Sequence, residues 1–344
     1  MANREPTDPP PGNHMTYAEL RRRADAPPGS AWGLFGAADE VGTVNHLTAE
    51  RVRAAAGLVR RGTVFNLDLP LDWFDLPLLP TRRPPRHAIF QRHTHHRDDY
   101  LEWLYPQASS HLDGLRHMAH PDYGPYNGHP AGRLTPGDPL LGVQRWAEHG
   151  LAGRGVLLDV AAYLAATGRP LDALRPEPVN VDVLEDTARA QGVELADGDV
   201  LLLRFGFLRG YADLDDAARD RFHRQGPASA GLAPTEETVA WLWDHRVAVV
   251  AADNIALETW PAPADADDAL LARAEADPAR RTAHSGMAHQ VLIPLLGLAI
   301  GELWDLEALA ADCAADGVWE FLVTAKPLML TGGVGTPANA MAIK

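Results

Sequence analysis

Cysteine is nearly absent from these 344 residues: Cys313 stands alone, which rules out an intrachain disulfide and a thiolate zinc cluster. Its setting, Leu-Ala-Ala-Asp-Cys-Ala-Ala, reads as an apolar helix position, so a buried structural thiol is expected rather than a nucleophile. Long hydrophobic runs are also missing; nothing approaches the roughly 18 apolar residues of a membrane span. Basic residues are scarce relative to acidic ones, 31 against 46, for a formal charge of −15. A surface that acidic argues against nucleic acid or an anionic membrane as the main partner, but not against a cation or a small-molecule substrate. The first fourteen residues are proline-rich and polar, without the apolar core of a signal peptide. They read as a disordered tail (1–14) on a cytoplasmic protein, with residues 15–344 as a single domain.

What is present is ordinary globular composition, 46% apolar and 22% charged, in a chain long enough to bury a large core. Helical and buried-strand patterns alternate. Thr48 caps a helix running to Val59 and Thr235 caps another to His245, each with glutamate in its first turn. Strands are expected at 63–69, 155–160, 199–205, 247–252 and 318–324, with helices at 140–149, 180–191 and 305–315. That alternation argues an α/β architecture. No internal repeat and no linker divides it. The stretch 70–86, broken by Pro70, Pro77, Pro80, Pro84 and Pro85, cannot be a regular element and reads as a lid or a dimer arm. Ala88–His96 is a strand candidate whose three histidines (His93, His95, His96) are more economically read as surface residues. Residues 261–282 are polar all round and are expected to be exposed.

The chemistry concentrates in Gln107-Ala-Ser-Ser-His-Leu-Asp-Gly-Leu-Arg-His117. If the chain runs extended to Asp113, then Gln107, Ser109, His111 and Asp113 share a face, because strand side chains alternate with period two. One helical turn after Gly114 would return His117 to the same side. An amide, two imidazoles and a carboxylate then converge, which suits a metal ion with an acid/base beside it. Read blandly, the same stretch is a strand end with satisfied polar groups, but four such groups on one face are costly to bury without a shared partner. Farther on, His289 opens an apolar run that ends at Glu302. A carboxylate in that setting sits at a sheet rim or is paired. No Gly-x-Ser-x-Gly nucleophile elbow competes, and Gly332-Gly333-Val334-Gly335 lacks the residues of a phosphate loop. Trp32, Phe35, Trp73 and Tyr126 are candidates for an aromatic substrate pocket.

Residues 107–117 resemble the signature of the metal-dependent cyclase family that includes kynurenine formamidase and isatin hydrolase, His-x-Gly-Thr-His-x-Asp-x-x-x-His. His289 followed by apolar residues and Glu302 is similar to that family's second ligand segment. Trp32-Gly33-Leu34-Phe35, Asp39-Glu40-Val41-Gly42-Thr43-Val44-Asn45 and Gly333-Val334-Gly335-Thr336-Pro337 resemble its longer members.

The resemblance implies a single α/β domain of the swivelling β/β/α type, with a mixed sheet and flanking helices. It implies a hydrolase of a cyclic amide, an acyl amide (formamide) or a lactone, using metal-bound water and His117 as general acid/base. The alternatives are ring closure by the same machinery in a biosynthetic pathway, or a non-catalytic relative that binds a small molecule. By the same resemblance His111, Asp113, His289 and Glu302, with Gln107 as a weak fifth donor, would hold one or two divalent ions. Gln107 stands where the family has its first histidine, and Ser109 and Ser110 replace glycine and threonine. A neutral oxygen donor there implies a weaker first site and a preference moved from zinc towards manganese. A homodimer or higher homo-oligomer is also expected.

Overall fold

The computed structural model describes residues 15–263 and 269–344, so the expected tail at 1–14 and part of 261–282 lie outside the described residues. Among the described residues thirteen strands follow in chain order: β1 (Val64–Asn66), β2 (Arg86–His93), β3 (His96–Glu102), β4 (His111–Asp113), β5 (Leu151–Leu158), β6 (Pro178–Val179), β7 (Val200–Leu203), β8 (Gly231–Leu232), β9 (Val249–Ala252), β10 (Ala299–Glu302), β11 (Glu320–Ala325), β12 (Gly335–Pro337) and β13 (Ala340–Ile343). Nine of them make one mixed sheet in the order β1-β13-β11-β5-β7-β9-β10-β4-β12. Its middle, β5-β7-β9-β10, is parallel. The strands on either side run antiparallel to their neighbours.

The parallel centre follows from composition. Val-Leu-Leu-Leu at 200–203 and Val-Val-Ala-Ala at 249–252 are apolar at every position, and every position is buried. Strands covered on both faces read as continuous apolar runs rather than alternating ones. Helices Val181–Gln191 and Glu236–Asp244 connect these strands and supply cover through Leu184, Trp241 and Leu242. Thr48 and Thr235 cap their helices as expected, accepting from the backbone of Arg51 and Thr238. The first of these helices is shorter than its apolar pattern suggests, ending at Ala56. Cys313 is buried, and burial pushes its thiol up to about 11, which makes it a packing residue rather than a nucleophile. No helix among the described residues is long and apolar enough to cross a membrane.

The proline-rich stretch 70–86 has a different place from the one expected of an arm. Phe74 and Leu78 are buried in a second apolar cluster with Phe207, Tyr211, Ile255, Met287 and Leu303. The projecting element is the next one: β2 and β3 pair only with each other, as a two-stranded hairpin. Residues 273–280 form two short 3-10 turns, and Glu275, within the segment expected to be exposed, is buried.

The loop around Gly42 docks on the turn that leads into β10. Thr43 N–H donates to the Gly297 carbonyl at 2.9 Å, and the two glycine backbones approach so closely that a Cβ on Gly297 would lie 2.9 Å from Gly42 Cα and 2.5 Å from the Tyr126 ring. Gly297 also has a positive φ of 71°. Gly297→Ala is therefore expected to lower stability by roughly 2–4 kcal/mol, combining left-handed backbone strain with overpacking. Chemical denaturation would check this; a variant as stable as the parent chain would contradict it.

Candidate metal centre

The centre is built where β4 meets β10. In the antiparallel register His111 lies opposite Glu302, and Asp113 opposite Ile300. Opposed residues share a face, as do residues two apart on one strand, so His111, Asp113 and Glu302 point the same way. All three are buried, and one ligand atom from each can be chosen so that the three lie within 4.8 Å of one another. The cluster stands at the carboxyl end of β10, next to the loop leaving the end of β9, the region where open parallel sheets commonly bind ligands.

The extended run expected over 107–113 is confined to 111–113; residues 106–110 are turns and bends. Nor does a helix follow Gly114: a single turn, closed by His117 N–H to the Gly114 carbonyl at 2.8 Å, swings His117 back. Its Nε2 then lies 3.7 Å from Asp113 Oδ2. Proline, glycine and small residues around the strand favour turns over a longer ladder, and Ser109 and Ser110 work locally. The Ser110 hydroxyl donates to the Leu303 carbonyl and accepts from Leu69 N–H, while the Ser109 carbonyl accepts from His111 Nδ1–H at 2.8 Å.

That last bond decides what His111 can do. With its proton on Nδ1, Nε2 presents a lone pair, and Nε2 is buried without a hydrogen-bond partner. It faces Glu302 Oε2 at 3.1 Å and Asp113 Oδ1 at 3.6 Å. A lone pair against two carboxylates repels unless a cation or an added proton lies between them. His289 is set in the same way. Its Nδ1 is bonded to Glu258 Oε1, and Nε2 faces Glu302 Oε1 at 3.2 Å and Asp113 Oδ2 at 3.9 Å. Burial opposes a charge on His289, but the Glu258 and Glu302 carboxylates outweigh it and hold the imidazole well above its usual range. Burial alone would likewise raise Glu302, yet the neighbouring His111 and His289 imidazoles bring it below the usual carboxylate range. Two Nε2 atoms and two carboxylates thus converge on one spot. The donor set of nitrogen and oxygen suits a divalent ion, so the residues present fit a metal.

Glu258 was not among the residues singled out from sequence. It is fully buried and accepts from Ala288 N–H at 2.7 Å and His289 N–H at 3.0 Å as well as from the His289 ring. Carboxylates that orient a ligating histidine through its other nitrogen are a recurring outer layer of metal sites. Its loop is pinned by the Asn254 amide, which donates to the carbonyls of Ala230, Leu257 and Glu258. The available signal was a carboxylate enclosed by Leu257 and Trp260, which is weak by itself. Burial pushes the His284 imidazole below its usual range.

Gln107 reaches the cluster in a different role from the one expected. Its amide nitrogen donates to Asp113 Oδ1 and bonds His117 Nδ1 at 3.0 Å, so it presents hydrogens to the site rather than an oxygen. An oxygen turned towards Asp113 would meet a carboxylate, which is why the nitrogen takes that place. Gly335, opposite Asp113 in β12, leaves the room: a Cβ there would lie 2.7 Å from Gln107 Cγ.

Three of the four candidate pocket aromatics pack elsewhere. Trp32 donates through Nε1 to the Pro294 carbonyl at 2.7 Å, and Phe35 stands edge-on to His46 and Trp243. Tyr126 is wholly buried, with its hydroxyl on Asp39 Oδ2 at 2.9 Å. These contacts fasten the Trp32–Asn45 segment to the body. Trp73 joins the second apolar cluster, whose Ile255 and Leu303 also line a cleft beside Gln107 and Arg82.

The comparisons with known proteins follow the same lines. The fold and the site define an α/β protein with a buried histidine–carboxylate cluster at a sheet end. The Cyclase family model matches residues 66–259, more than half of the chain. A crystal structure described as a novel cyclase is 32% identical, covers 92% of this chain and 99% of its own, and superposes with a TM-score of 0.76. The chain belongs to the cyclase family. An isatin hydrolase A from Labrenzia aggregata, solved with benzyl benzoate, is similar in fold at 15% identity and a TM-score of 0.53, covering 84% of this chain and 94% of its own. Among curated protein sequences no match was found.

Glu258→Gln is expected to weaken metal binding about 10- to 100-fold, the usual cost of losing a carboxylate behind a ligating histidine. Titration calorimetry with Mn²⁺ or Zn²⁺ on apo-protein would measure it. Unchanged affinity would separate Glu258 from the site.

Proposed function

We propose that the protein is a metal-dependent hydrolase of a cyclic amide, an acyl amide or a lactone, with His117 as its proton carrier. The observation that carries this is the buried, unpartnered Nε2 of His111 facing Asp113 and Glu302, with a second imidazole beside them. His111, Asp113 and Glu302 would hold a divalent ion, zinc or manganese, with His289 completing the set. Such an ion supplies Lewis acidity, activating water at neutral pH and polarising a carbonyl. The fold shared with an isatin hydrolase, whose name denotes opening of a cyclic amide, supports the substrate class.

His117 is the group suited to moving the proton. Burial pushes its imidazole below the usual range, only partly offset by the Asp113 carboxylate, so it is neutral at pH 7. Gln107 sets its tautomer. While the amide nitrogen donates to Nδ1, the ring proton sits on Nε2. Turned over, the same amide accepts from Nδ1–H through its oxygen and leaves Nε2 free to take a proton. Asp113 opposes that turn as long as its charge is uncompensated, because the amide oxygen would then face the carboxylate. Binding of a cation by Asp113 and release of a basic Nε2 on His117 are thereby linked through one side chain. Proton return from Nε2 to the leaving nitrogen or oxygen completes the exchange.

His117→Ala is expected to lower kcat about 10²- to 10⁴-fold while leaving metal content unchanged. Hydrolysis of a panel of formamides, isatins and lactones, with metal content measured on the same samples, would show it. Activity that survives both metal stripping and the substitution would sink the proposal. The base is active in its neutral form, so rate should fall as pH drops through the His117 pKa. Because that pKa is depressed, the acid limb should lie below about 6.5, the ordinary histidine value. A limb clearly above that value would assign it to a different group.

A further inference from the structure

We infer that Arg82 selects substrates that carry a carboxylate apart from the bond to be broken. The inference rests on the proposed hydrolase function and narrows its substrates to anionic amides and lactones. Arg82 stands within the proline-rich stretch 70–86, which packs on the body through Phe74 and Leu78. With Gln107 it lines a cleft whose walls are Leu78, Leu79, Ile255 and Leu303. Its Nη1–H donates to the Gln107 carbonyl at 2.8 Å, and among the described residues no carboxylate pairs with the guanidinium. Acidic residues outnumber basic ones in this chain by 46 to 31, yet this half-buried arginine is left without one. A guanidinium has five N–H donors, so a single carbonyl leaves most of the fork available to a ligand.

Gln107 keeps Arg82 off the buried cluster. Its carbonyl holds the guanidinium while its amide nitrogen donates to Asp113 Oδ1, so cation and cluster lie at the two ends of one residue. Burial pushes the His117 imidazole down, and the Arg82 charge is near enough to add to that effect. A molecule seated at His117 is therefore within reach of Arg82 without touching it through the reacting bond. The acid released by hydrolysis forms where that bond is broken. A group that meets Arg82 is a second one, carried about a residue's length away.

A carboxylate is the group that fits. The planar fork matches its two oxygens with two parallel N–H···O bonds, and apolar walls strengthen the pairing by excluding water. The same walls take the uncharged body of the substrate. On a chain of net charge −15, a cation at the cleft also gives an anionic substrate a local attraction against the overall repulsion.

The test uses the full chain loaded with Mn²⁺ and the ortho, meta and para formamidobenzoates, each against the formamidobenzamide of the same shape. The parent should prefer at least one acid to its amide in kcat/KM. Arg82→Gln should lower that preference about 10- to 100-fold, chiefly through KM, and Arg82→Lys should restore part of it. Circular dichroism checks that each variant is folded. A parent without preference, or an Arg82→Gln variant that slows acids and amides alike, would overturn the inference and leave Arg82 as a support for Gln107. Calorimetric binding of the aminobenzoates against the aminobenzamides reads the same preference without turnover. If the parent hydrolyses none of the formamides, yet binds an aminobenzoate more tightly than its amide and loses that preference in Arg82→Gln, the hydrolase function fails and the anion site stands. Equal binding of acid and amide by the parent, or a preference that survives Arg82→Gln, would overturn the site itself.

Discussion

The structure depends on a concentration of like charge and lone pairs in one dry place. Asp113 and Glu302 are buried beside the Nε2 atoms of two imidazoles, and both imidazoles have Nδ1 tied to protein acceptors, the Ser109 carbonyl and the Glu258 carboxylate. In a low-dielectric interior an unpaired polar atom costs about 1–3 kcal/mol and a charge more, so such an arrangement persists only if a cation or extra protons balance it. A site arranged to be incomplete by itself has the character of a binding site.

The sheet supplies the precision. Antiparallel pairing of β4 with β10 sets His111 directly across from Glu302, and a one-residue slip of β4 would turn His111 and Asp113 to the opposite face. Trp304 secures that register by donating from its indole to the His111 carbonyl at 3.0 Å. Gly301 makes room for the indole, since a Cβ there would lie 2.7 Å from Trp304 Nε1. On the other side Gly335 admits Gln107. Small residues at these points are as necessary to the site as the ligands, because the polar side chains reach one another only through the space they leave.

Gln107 joins the Asp113 carboxylate to the His117 imidazole. A histidine at that position would offer a ligand or a titrating ring; the amide offers neither. Its amide nitrogen bonds both Asp113 Oδ1 and His117 Nδ1, so one side chain spans the two groups. The Gln107 carbonyl also accepts from Arg82 at the stem of the β2–β3 hairpin, so the buried cluster and the surface of the molecule meet at one backbone segment.

Much of this was legible along the chain. The parallel strands at 200–203 and 249–252 follow from unbroken apolar runs, the helices from Thr48 and Thr235 follow from their caps, and His111, Asp113 and His117 follow from a motif whose members lie within one short stretch. Local spacing could not show that residues 106–110 turn instead of extending, because period-two alternation is equally compatible with a bend rich in small polar residues. It could not show whether Trp32, Phe35 and Tyr126 line a pocket or pack a loop, since an aromatic side chain serves both and only its neighbours decide. Glu258 was invisible because its meaning lies in His289, 31 residues away in sequence and bonded to it in space. Composition and short-range pattern determined which elements form and where ligating chemistry is concentrated. Tertiary structure alone decided which nitrogen of each imidazole faces the carboxylates and which end of the Gln107 amide faces Asp113, because hydrogen-bond direction is set by partners that the chain brings together only on folding.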